Sequence, residues 1–278
     1  MADARTLGGF LRFIEIDARE AASHPDAFDR IRAGDLQAVM VHNVYPPHVL
    51  EPVVERLERH DPPFLKTWFP EQFHSFFYGR NLNMTHPSLA GYFEEAAQFH
   101  AQLDTLFPAG QSLTARVGGT LAQLDRGRPF VAAPGPTSPA TYMFTTLRAH
   151  LEEGFLPPHL DNEQALRPSY AHLRTMVDLH MTSFVLMLSA PESGGTLDVF
   201  NYVSDPGEAV VISRDGAPKP DVESLVPASF PIPLGSMIVL DSGRYLHRLS
   251  PVHGSRKRWT ACSFMARARG RDATYCWG

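Results

Sequence analysis

Short apolar segments separated by proline and glycine turns dominate the chain after Gly127. Many short strands at such spacing are typical of a barrel or jelly roll and not of a parallel α/β sheet. The sequence therefore predicts a rolled β structure in this half. The segments that we interpret as β-rich are RPFVAAPGPTSP, ATYMFTTLRAHL, TSFVLMLSAP, GTLDVFNYV, EAVVISRDG, SMIVLD and RWTACSFMA.

The part of the chain before this change carries mainly helical patterns. A short buried strand is predicted at 38–42, closed by a Pro-Pro turn. The segment HVLEPVVERLERH then places apolar residues at helical spacing. Two further amphipathic helices are predicted in HPSLAGYFEEAAQFHAQLDTLF and SLTARVGGTLAQLD.

Helices first and strands later predict an α+β fold. We expect a double-stranded β-helix, that is, a jelly-roll or cupin-like barrel, buttressed by N-terminal helices. Residues 1–278 would form one domain, with mainly helical support at 1–126 and the jelly-roll core and active site at 127–278. A chain of 278 residues with 44% hydrophobic content is large enough for such a core. The segment RPSYAHLRTMVDLHM, between two strands, is predicted to be a helix over the barrel mouth.

Charge and composition exclude several classes of protein. A formal net charge of -5 argues against a nucleic-acid partner, which would require a basic face. The two cysteines, Cys262 and Cys276, suggest neither a disulfide framework nor a thiolate zinc site. No apolar run reaches the roughly 18 residues of a membrane span, so we expect a soluble, cytoplasmic protein. The chain lacks HExxH, GxxxxGK, GxGxxG and GxSxG, the motifs of zinc proteases, P-loop proteins, dinucleotide-binding proteins and hydrolases.

One H-x-D triplet, His159-Leu160-Asp161, follows the β-rich run TLRAHLEEGFLPP. In extended backbone, residues two apart point the same way, so both side chains can reach one ion. A polar turn after Pro157-Pro158 would give the same pair without a metal. The same spacing at His24-Pro25-Asp26 lies in a polar, helix-starting stretch and is interpreted as chance.

His247 and Arg258 lie far downstream of this triplet and complete the pattern. Two imidazoles and one carboxylate form an N,N,O face that holds Fe(II) and leaves positions open for a cosubstrate and O₂. Arg258 lies 11 residues after His247 and carries a planar cation that binds a carboxylate bidentately. The alternative for Arg258 is a solvated position in the basic run 256–258. The sequence thus predicts an Fe(II)/2-oxoglutarate oxygenase with His159, Asp161 and His247 as metal ligands.

Four other histidines are candidates of lower rank: His150, His172, His180 and His253. The first lies nine residues before His159, the next two fall in the predicted mouth helix, and the last sits in a turn. We interpret each as a packing or surface histidine.

Much of the chain resembles the carrier-independent Fe(II)/2-oxoglutarate halogenases of hapalindole-type alkaloid biosynthesis. The shared elements include a T-x-R before the metal motif, the H-x-x-N of the metal turn, HLRTMVDL and SFVLMLSAPESGG. The likeness is strongest at 139–202, and FIEIDAREAASHPDAFDRIRAGDLQAVMVHNVYPP is also similar. The resemblance implies the jelly-roll fold, Fe(II), 2-oxoglutarate and a freestanding small-molecule substrate. It places His159 and His247 as iron ligands and Arg258 as the 2-oxoglutarate clamp.

The sequence departs from this family at Asp161, where the halogenases carry glycine and bind chloride. A carboxylate occupies that position, so the departure argues against halogenation and favours hydroxylation. By resemblance, Arg148 and Asn162 would line the cosubstrate or substrate side, and Ser183 would lie near the metal and the substrate. The alternative for Ser183 is a small polar residue that begins a strand.

We therefore expect a hydroxylase for a natural-product or amino-acid-like metabolite. Three alternatives stay open. The same cofactors could drive desaturation, cyclisation or epimerisation; the enzyme could be a prolyl-hydroxylase-like protein-modifying enzyme; or the chain could be a cupin-like binding protein without enzymatic activity. The sequence makes no prediction of the oligomeric state.

Overall fold

The computed structural model describes residues 3–84, 89, 91–204 and 221–278. Its α-helices are α1 (Ala27–Ala33), α2 (Pro47–Glu58), α3 (Tyr92–Leu106) and α4 (Leu113–Leu124). Its strands are β1 (Arg5–Leu7), β2 (Leu11–Asp17), β3 (Ala38–His42), β4 (Lys66–Trp68), β5 (Ser75–Tyr78), β6 (Phe130–Ala132), β7 (Thr146–His150), β8 (Leu156–His159), β9 (Thr182–Ser189), β10 (Ser193–Gly194), β11 (Leu197–Val203), β12 (Pro227–Phe230), β13 (Met237–Leu240), β14 (Tyr245–Leu249), β15 (Val252–His253), β16 (Arg258–Arg267) and β17 (Thr274–Trp277). Short 3₁₀ turns cover Ala18–Ser23, Glu71–Phe73, Leu82–Met84, Asp161–Leu166, Pro168–Tyr170, Leu173–Thr175 and Val222–Ser224.

The strands form a large and a small sheet, which face each other. The large sheet has the order β1-β2-β3-β13-β9-β16-β7-β5-β4, with β17 and β6 attached through β16. The small sheet has the order β12-β11-β14-β8, and β10 pairs separately with β15. Two packed sheets with helices on one side are the architecture expected of a jelly roll, so the predicted α+β fold is confirmed.

Strand β13 lies inside the large sheet and is buried on both of its faces. Successive side chains of a strand point to opposite faces. Met237 and Val239 accordingly join the cluster beneath the helices, while Ile238 and Leu240 join the core between the two sheets. Such two-sided burial explains why this strand reads as a continuous apolar run. Fully burying an aliphatic side chain of this size stabilises the fold by about 1.5–3 kcal/mol.

The helices cover the face of the large sheet that points away from the small one. Their buried side chains belong to the same cluster as Met237 and include Phe28, Ile31, Leu50, Val53, Phe99, Leu103, Val117 and Leu121. No helix in the described ranges is long and apolar enough to cross a lipid bilayer.

Most predicted elements occur near their predicted positions, but two details differ. The strand at Ala38–His42 and the helices in 47–58, 92–106 and 113–124 agree with the sequence patterns. The part before residue 127 also adds five strands to the large sheet, so it is not helical support alone. The expected division of one domain into these two parts stays a prediction.

The mouth helix expected in RPSYAHLRTMVDLHM is wrong. Two single 3₁₀ turns, Pro168–Tyr170 and Leu173–Thr175, occupy this segment. The chain then leaves any helical path, because Val177 forms a β-bridge with Ala268. The strand predicted in EAVVISRDG lies outside the described residues.

Candidate metal centre

His159 and His247 lie directly opposite each other on the antiparallel strands β8 and β14. The centroids of their rings are 4.3 Å apart. Strand β8 is the edge of the small sheet, where the prolines at 157 and 158 are tolerated because an edge strand needs fewer N–H donors. The pairing of β8 and β14 is irregular next to the histidines, as expected where consecutive prolines interrupt a ladder. Both rings project into the space between the sheets, where they line one cavity.

Each ring is oriented by a backbone carbonyl on its own strand. Nδ1 of His159 lies 2.8 Å from the carbonyl oxygen of Pro157, and Nδ1 of His247 lies 2.9 Å from that of Tyr245. A carbonyl can only accept, so each Nδ1 carries the proton and each Nε2 keeps a free lone pair. Burial and the neighbouring His247 ring lower the pKa of His159 to about 4, so this ring is neutral at neutral pH.

Asp161 follows β8 and opens the 3₁₀ turn Asp161–Leu166. Its N–H donates to the carbonyl of Ser242, at 3.0 Å, which ties this turn to the connection between β13 and β14. Its Oδ1 lies 3.6 Å from Nε2 of His159 and 3.7 Å from Nε2 of His247. These distances are too long for hydrogen bonds. Two donors that each bind one ion at about 2.1 Å can be up to about 4.2 Å apart, so the three atoms can share a metal.

The charges of this cluster also fit a cation. The Asp161 carboxylate is 2% exposed, and its ion-pair partners among the described residues are only these two imidazoles. Burying a carboxylate without a positive partner is costly. A divalent ion held by the two Nε2 atoms and the carboxylate supplies that partner, and N,N,O donors suit Fe(II).

A cavity opens beside the three side chains. Its apolar side includes Leu156, Phe184, Val185, Leu197, Ile232, Leu249 and Phe264. Its polar side includes Asn81, Thr146, Arg148, His150, Ser183, Arg248, Arg258, Cys262 and Ser263.

Arg258 begins β16 and lies in this cavity with 3% of its surface exposed. Its Nε donates to the carbonyl of Gly195 at 3.0 Å. Gly195 has φ +63, and a Cβ there would lie 2.9 Å from Cδ of Arg258, so glycine permits this close approach. No carboxylate in the described ranges lies within salt-bridge distance of the guanidinium. Burial lowers the pKa of Arg258 to about 10, yet the group remains protonated at neutral pH.

Arg148 is a second cavity-lining guanidinium, on the neighbouring strand β7. Its Cζ lies 4.6 Å from the ring centroid of Phe77, which provides cation–π stabilisation. Its Nε has no hydrogen-bond partner among the described atoms. Burial lowers the pKa of Arg148. One buried and one partly buried cation, neither within salt-bridge distance of a carboxylate of the described residues, make this end of the cavity a site for an anion.

Ser183 and Asn162 have different placements. Ser183, on β9, lines the cavity and is almost buried. Asn162 is not among the residues that line the cavity, and its role on the cosubstrate or substrate side stays a prediction. Its Oδ1 accepts from the N–H of Met181 at 3.4 Å and would lie 2.3 Å from a Cβ at Gly243. The Asn162 side chain therefore packs against Met181, just before β9, and against Gly243 between β13 and β14.

Three of the four lower-ranked histidines have partners outside the cavity. His172 contacts the Tyr142 hydroxyl at 3.2 Å, His180 pairs with Asp241 at 2.8 Å, and the exposed His253 pairs with Glu153. None of these three lines the cavity, in agreement with their interpretation as packing or surface residues.

His150 is the functional candidate that the sequence interpretation ranked too low. It is 1% exposed and lines the cavity, but neither ring nitrogen has a hydrogen-bond partner among the described atoms. It is therefore not a satisfied packing histidine. A sequence signal existed, because Thr146, Arg148 and His150 alternate along one strand and so share one face.

A comparison with known protein families identifies the family of this chain. The sequence profile of the family described as carrier-protein-independent halogenase WelO5 matches residues 10–278. No curated protein matches the chain at a significant level.

Two solved structures, those of one dioxygenase, support the fold, and a third structure is also similar. The chain is similar to an N-substituted L-amino acid dioxygenase from Burkholderia ambifaria AMMD, with 12% identity, a TM-score of 0.58 and 91% of each chain covered. The same dioxygenase in complex with alpha-KG matches with 13% identity and a TM-score of 0.57, covering 91% of this chain and 90% of that one. A 2OG-Fe(II) oxygenase family protein from Burkholderia pseudomallei matches with 14% identity, a TM-score of 0.45 and 92% of each chain covered.

Proposed function

The chain belongs to the family of carrier-protein-independent halogenases of the WelO5 type, which are Fe(II)/2-oxoglutarate enzymes, and within it we propose that this protein is a hydroxylase. Its substrate would be a freestanding small molecule, either a natural product or an amino-acid-like metabolite. Its cosubstrates would be 2-oxoglutarate and O₂, and its coproducts succinate and CO₂.

One observation carries this proposal: a carboxylate lies beside the two histidines. Oδ1 of Asp161 is 3.6 and 3.7 Å from the two Nε2 atoms, at the sequence position where the halogenases have glycine. In the halogenases, the missing carboxylate leaves a metal position for chloride. Here the carboxylate would take that position, and the enzyme would have no halide to transfer.

The proposed ligands are Nε2 of His159, Nε2 of His247 and the carboxylate of Asp161. Bound there, Fe(II) with 2-oxoglutarate and O₂ supplies the oxidising power that an unactivated C–H bond requires. The carbonyls of Pro157 and Tyr245 keep both imidazoles in the metal-binding tautomer.

The other cavity residues would bind and orient the two organic molecules. Arg258 would hold the distal carboxylate of 2-oxoglutarate, since it is charged, buried and without an acidic partner among the described residues. Arg148 would add positive charge beside it. Ser183 would orient the substrate close to the metal, and the apolar side chains would exclude water.

The lining of the cavity supports a small-molecule substrate. Apolar side chains cover much of it and a few polar groups converge beside them, as is typical of small-molecule sites.

The experiment is an anaerobic titration with Fe(II) and 2-oxoglutarate, followed by visible absorption and then by screening metabolites with O₂. Mass spectrometry of the product identifies the reaction. Hydroxylation adds one oxygen, desaturation removes two hydrogens, and epimerisation leaves the mass unchanged. A His247→Gln variant should lose turnover, whereas the matched variant His253→Gln, outside the cavity, should retain it. A chlorinated product from the unmodified protein would refute the proposal, and so would the absence of succinate with every substrate.

A further inference from the structure

Three polar residues form a row across neighbouring strands of the large sheet. Ser75 on β5 lies directly opposite His150 on β7, and His150 lies directly opposite Arg258 on β16. Residues directly opposite each other in antiparallel strands present their side chains on the same face, with Cβ atoms about 4.5–5.5 Å apart. His150 is therefore the cross-strand neighbour of the guanidinium that we assign to the distal carboxylate of 2-oxoglutarate.

The His150 ring is buried without satisfying either of its nitrogens. It is 1% exposed, and neither Nδ1 nor Nε2 has a hydrogen-bond partner among the described atoms. Burial, together with the charges of Arg258 and Arg148, holds the pKa of His150 well below its usual value. The ring is thus neutral and offers one N–H donor and one acceptor. Burying such a donor without a partner destabilises the fold, so a ligand that brings an acceptor would recover the loss.

A carboxylate bound by Arg258 can accept hydrogen bonds from a second donor. Its Nε is already used by the carbonyl of Gly195, so only its terminal NH₂ groups face a ligand. A carboxylate has two oxygens and about four acceptor sites. A distal carboxylate bound to those NH₂ groups therefore keeps free acceptor sites, and His150 is the donor directly opposite Arg258 that lines the same cavity.

We propose that His150 is a cosubstrate-binding residue that donates a second hydrogen bond to the distal carboxylate of 2-oxoglutarate, beside Arg258. This inference rests on the proposed function. Since the neutral ring adds no charge, its contribution is directional: it selects 2-oxo acids that end in a carboxylate over those that end in a methyl group.

The test compares two ligands that differ at that end only. 2-Oxoglutarate and 2-oxopentanoate are titrated anaerobically, by calorimetry, into the Fe(II)-loaded protein and its variants. His150→Leu removes both ring nitrogens, whereas His150→Gln restores an N–H donor. Hydrogen bonds to charged groups contribute about 1.5–3 kcal/mol, so His150→Leu should weaken 2-oxoglutarate binding about tenfold to a hundredfold. Binding of 2-oxopentanoate should stay within about twofold, and His150→Gln should recover most of the lost affinity.

Two controls separate this role from a structural one. Removing an unsatisfied buried polar group should not lower stability, so metal-free His150→Leu should unfold at the same temperature as the parent protein or higher. Ser75→Ala changes the other end of the row, and it should leave 2-oxoglutarate affinity unchanged.

The outcomes distinguish the two proposals. If the parent protein does not prefer 2-oxoglutarate over 2-oxopentanoate, the assignment of the cosubstrate itself is wrong. If Arg258→Ala weakens 2-oxoglutarate binding but His150→Leu does not, the function stands and the role of His150 is overturned. Equal weakening of both ligands by His150→Leu, or an equal effect of Ser75→Ala, would also overturn it.

Discussion

His159 and His247 face each other across two hydrogen-bonded strands, with ring centroids 4.3 Å apart. The spacing of these two donors is set by the small sheet and not by a loop. Asp161 comes from a turn instead, and the N–H of that turn is tied to the carbonyl of Ser242. Strand pairing thus positions two donors of the proposed metal centre. A turn that is hydrogen-bonded to Ser242 positions the third.

Replacing Asp161 by glycine should abolish hydroxylation. Loss of only a partner of a metal ligand costs about 10–100-fold in metal affinity or activity, so loss of a ligand should cost more than about 100-fold. Chloride should then perturb the visible absorption of the Fe(II)/2-oxoglutarate complex of Asp161→Gly but not that of the parent protein. Native hydroxylation in this variant would remove Asp161 from the ligand set.

Arg258→Ala should raise the 2-oxoglutarate requirement about 100-fold or more, because it removes a charge-assisted contact with a buried anion. Iron affinity, measured by metal titration, should change little. Arg248→Ala is a matched control, since that cavity-lining arginine is already paired with Asp198 at 2.9 Å. If both variants raise the requirement equally, the clamp lies elsewhere.

Gly243→Ala should destabilise the protein and weaken metal binding. A Cβ at this position would lie 2.3 Å from Oδ1 of Asn162 and 2.7 Å from the carbonyl oxygen of Met181, and such overpacking costs about 1–3 kcal/mol. The control is Gly119→Ala in α4, where a Cβ meets nothing within 4 Å and the helix should gain about 0.5–1 kcal/mol. Chemical denaturation and an Fe(II) titration measure the two effects. Equal stability of the two variants would contradict the packing that we describe.

The metal-free protein should lose stability as the pH falls below about 6.5, the usual pKa of histidine. Burial lowers the pKa of His100, and its Nε2 accepts a hydrogen bond from the N–H of Phe144 at 2.9 Å. The unfolded chain therefore takes up a proton at a pH where the folded His100 does not. The free energy of unfolding should fall by up to about 1.4 kcal/mol per pH unit for this group, until the pH reaches the lowered pKa. Urea denaturation of His100→Gln should show a flatter pH profile, and an unchanged profile would exclude His100 as a cause.

The sequence patterns predicted the elements whose signal is local. Strand β3 is a run of apolar residues, and α2 repeats its apolar residues at helical spacing, so both were predicted within a residue or two of their ends. Strand β2 was missed because its apolar positions do not alternate strictly. It forms by parallel pairing with β3, which lies well downstream.

The candidate site was predictable to a similar degree. The two-residue spacing of His159 and Asp161 brings them to one side of the chain, and this could be predicted from the sequence alone. The carbonyls that orient the rings, and the contact between Gly243 and Asn162, depend on how distant backbone segments meet. These contacts between distant segments cannot be predicted from a local sequence pattern. The position of His150 opposite Arg258 likewise depends on the pairing of β7 with β16.

The placement of Asp161 outside the strand ladder has an evolutionary consequence. A substitution at a turn position leaves the inter-strand hydrogen bonds of β8 and β14 in place, so the pair of imidazoles would survive it. A single-codon change could therefore remove one of the three proposed metal ligands without rebuilding the scaffold around the other two.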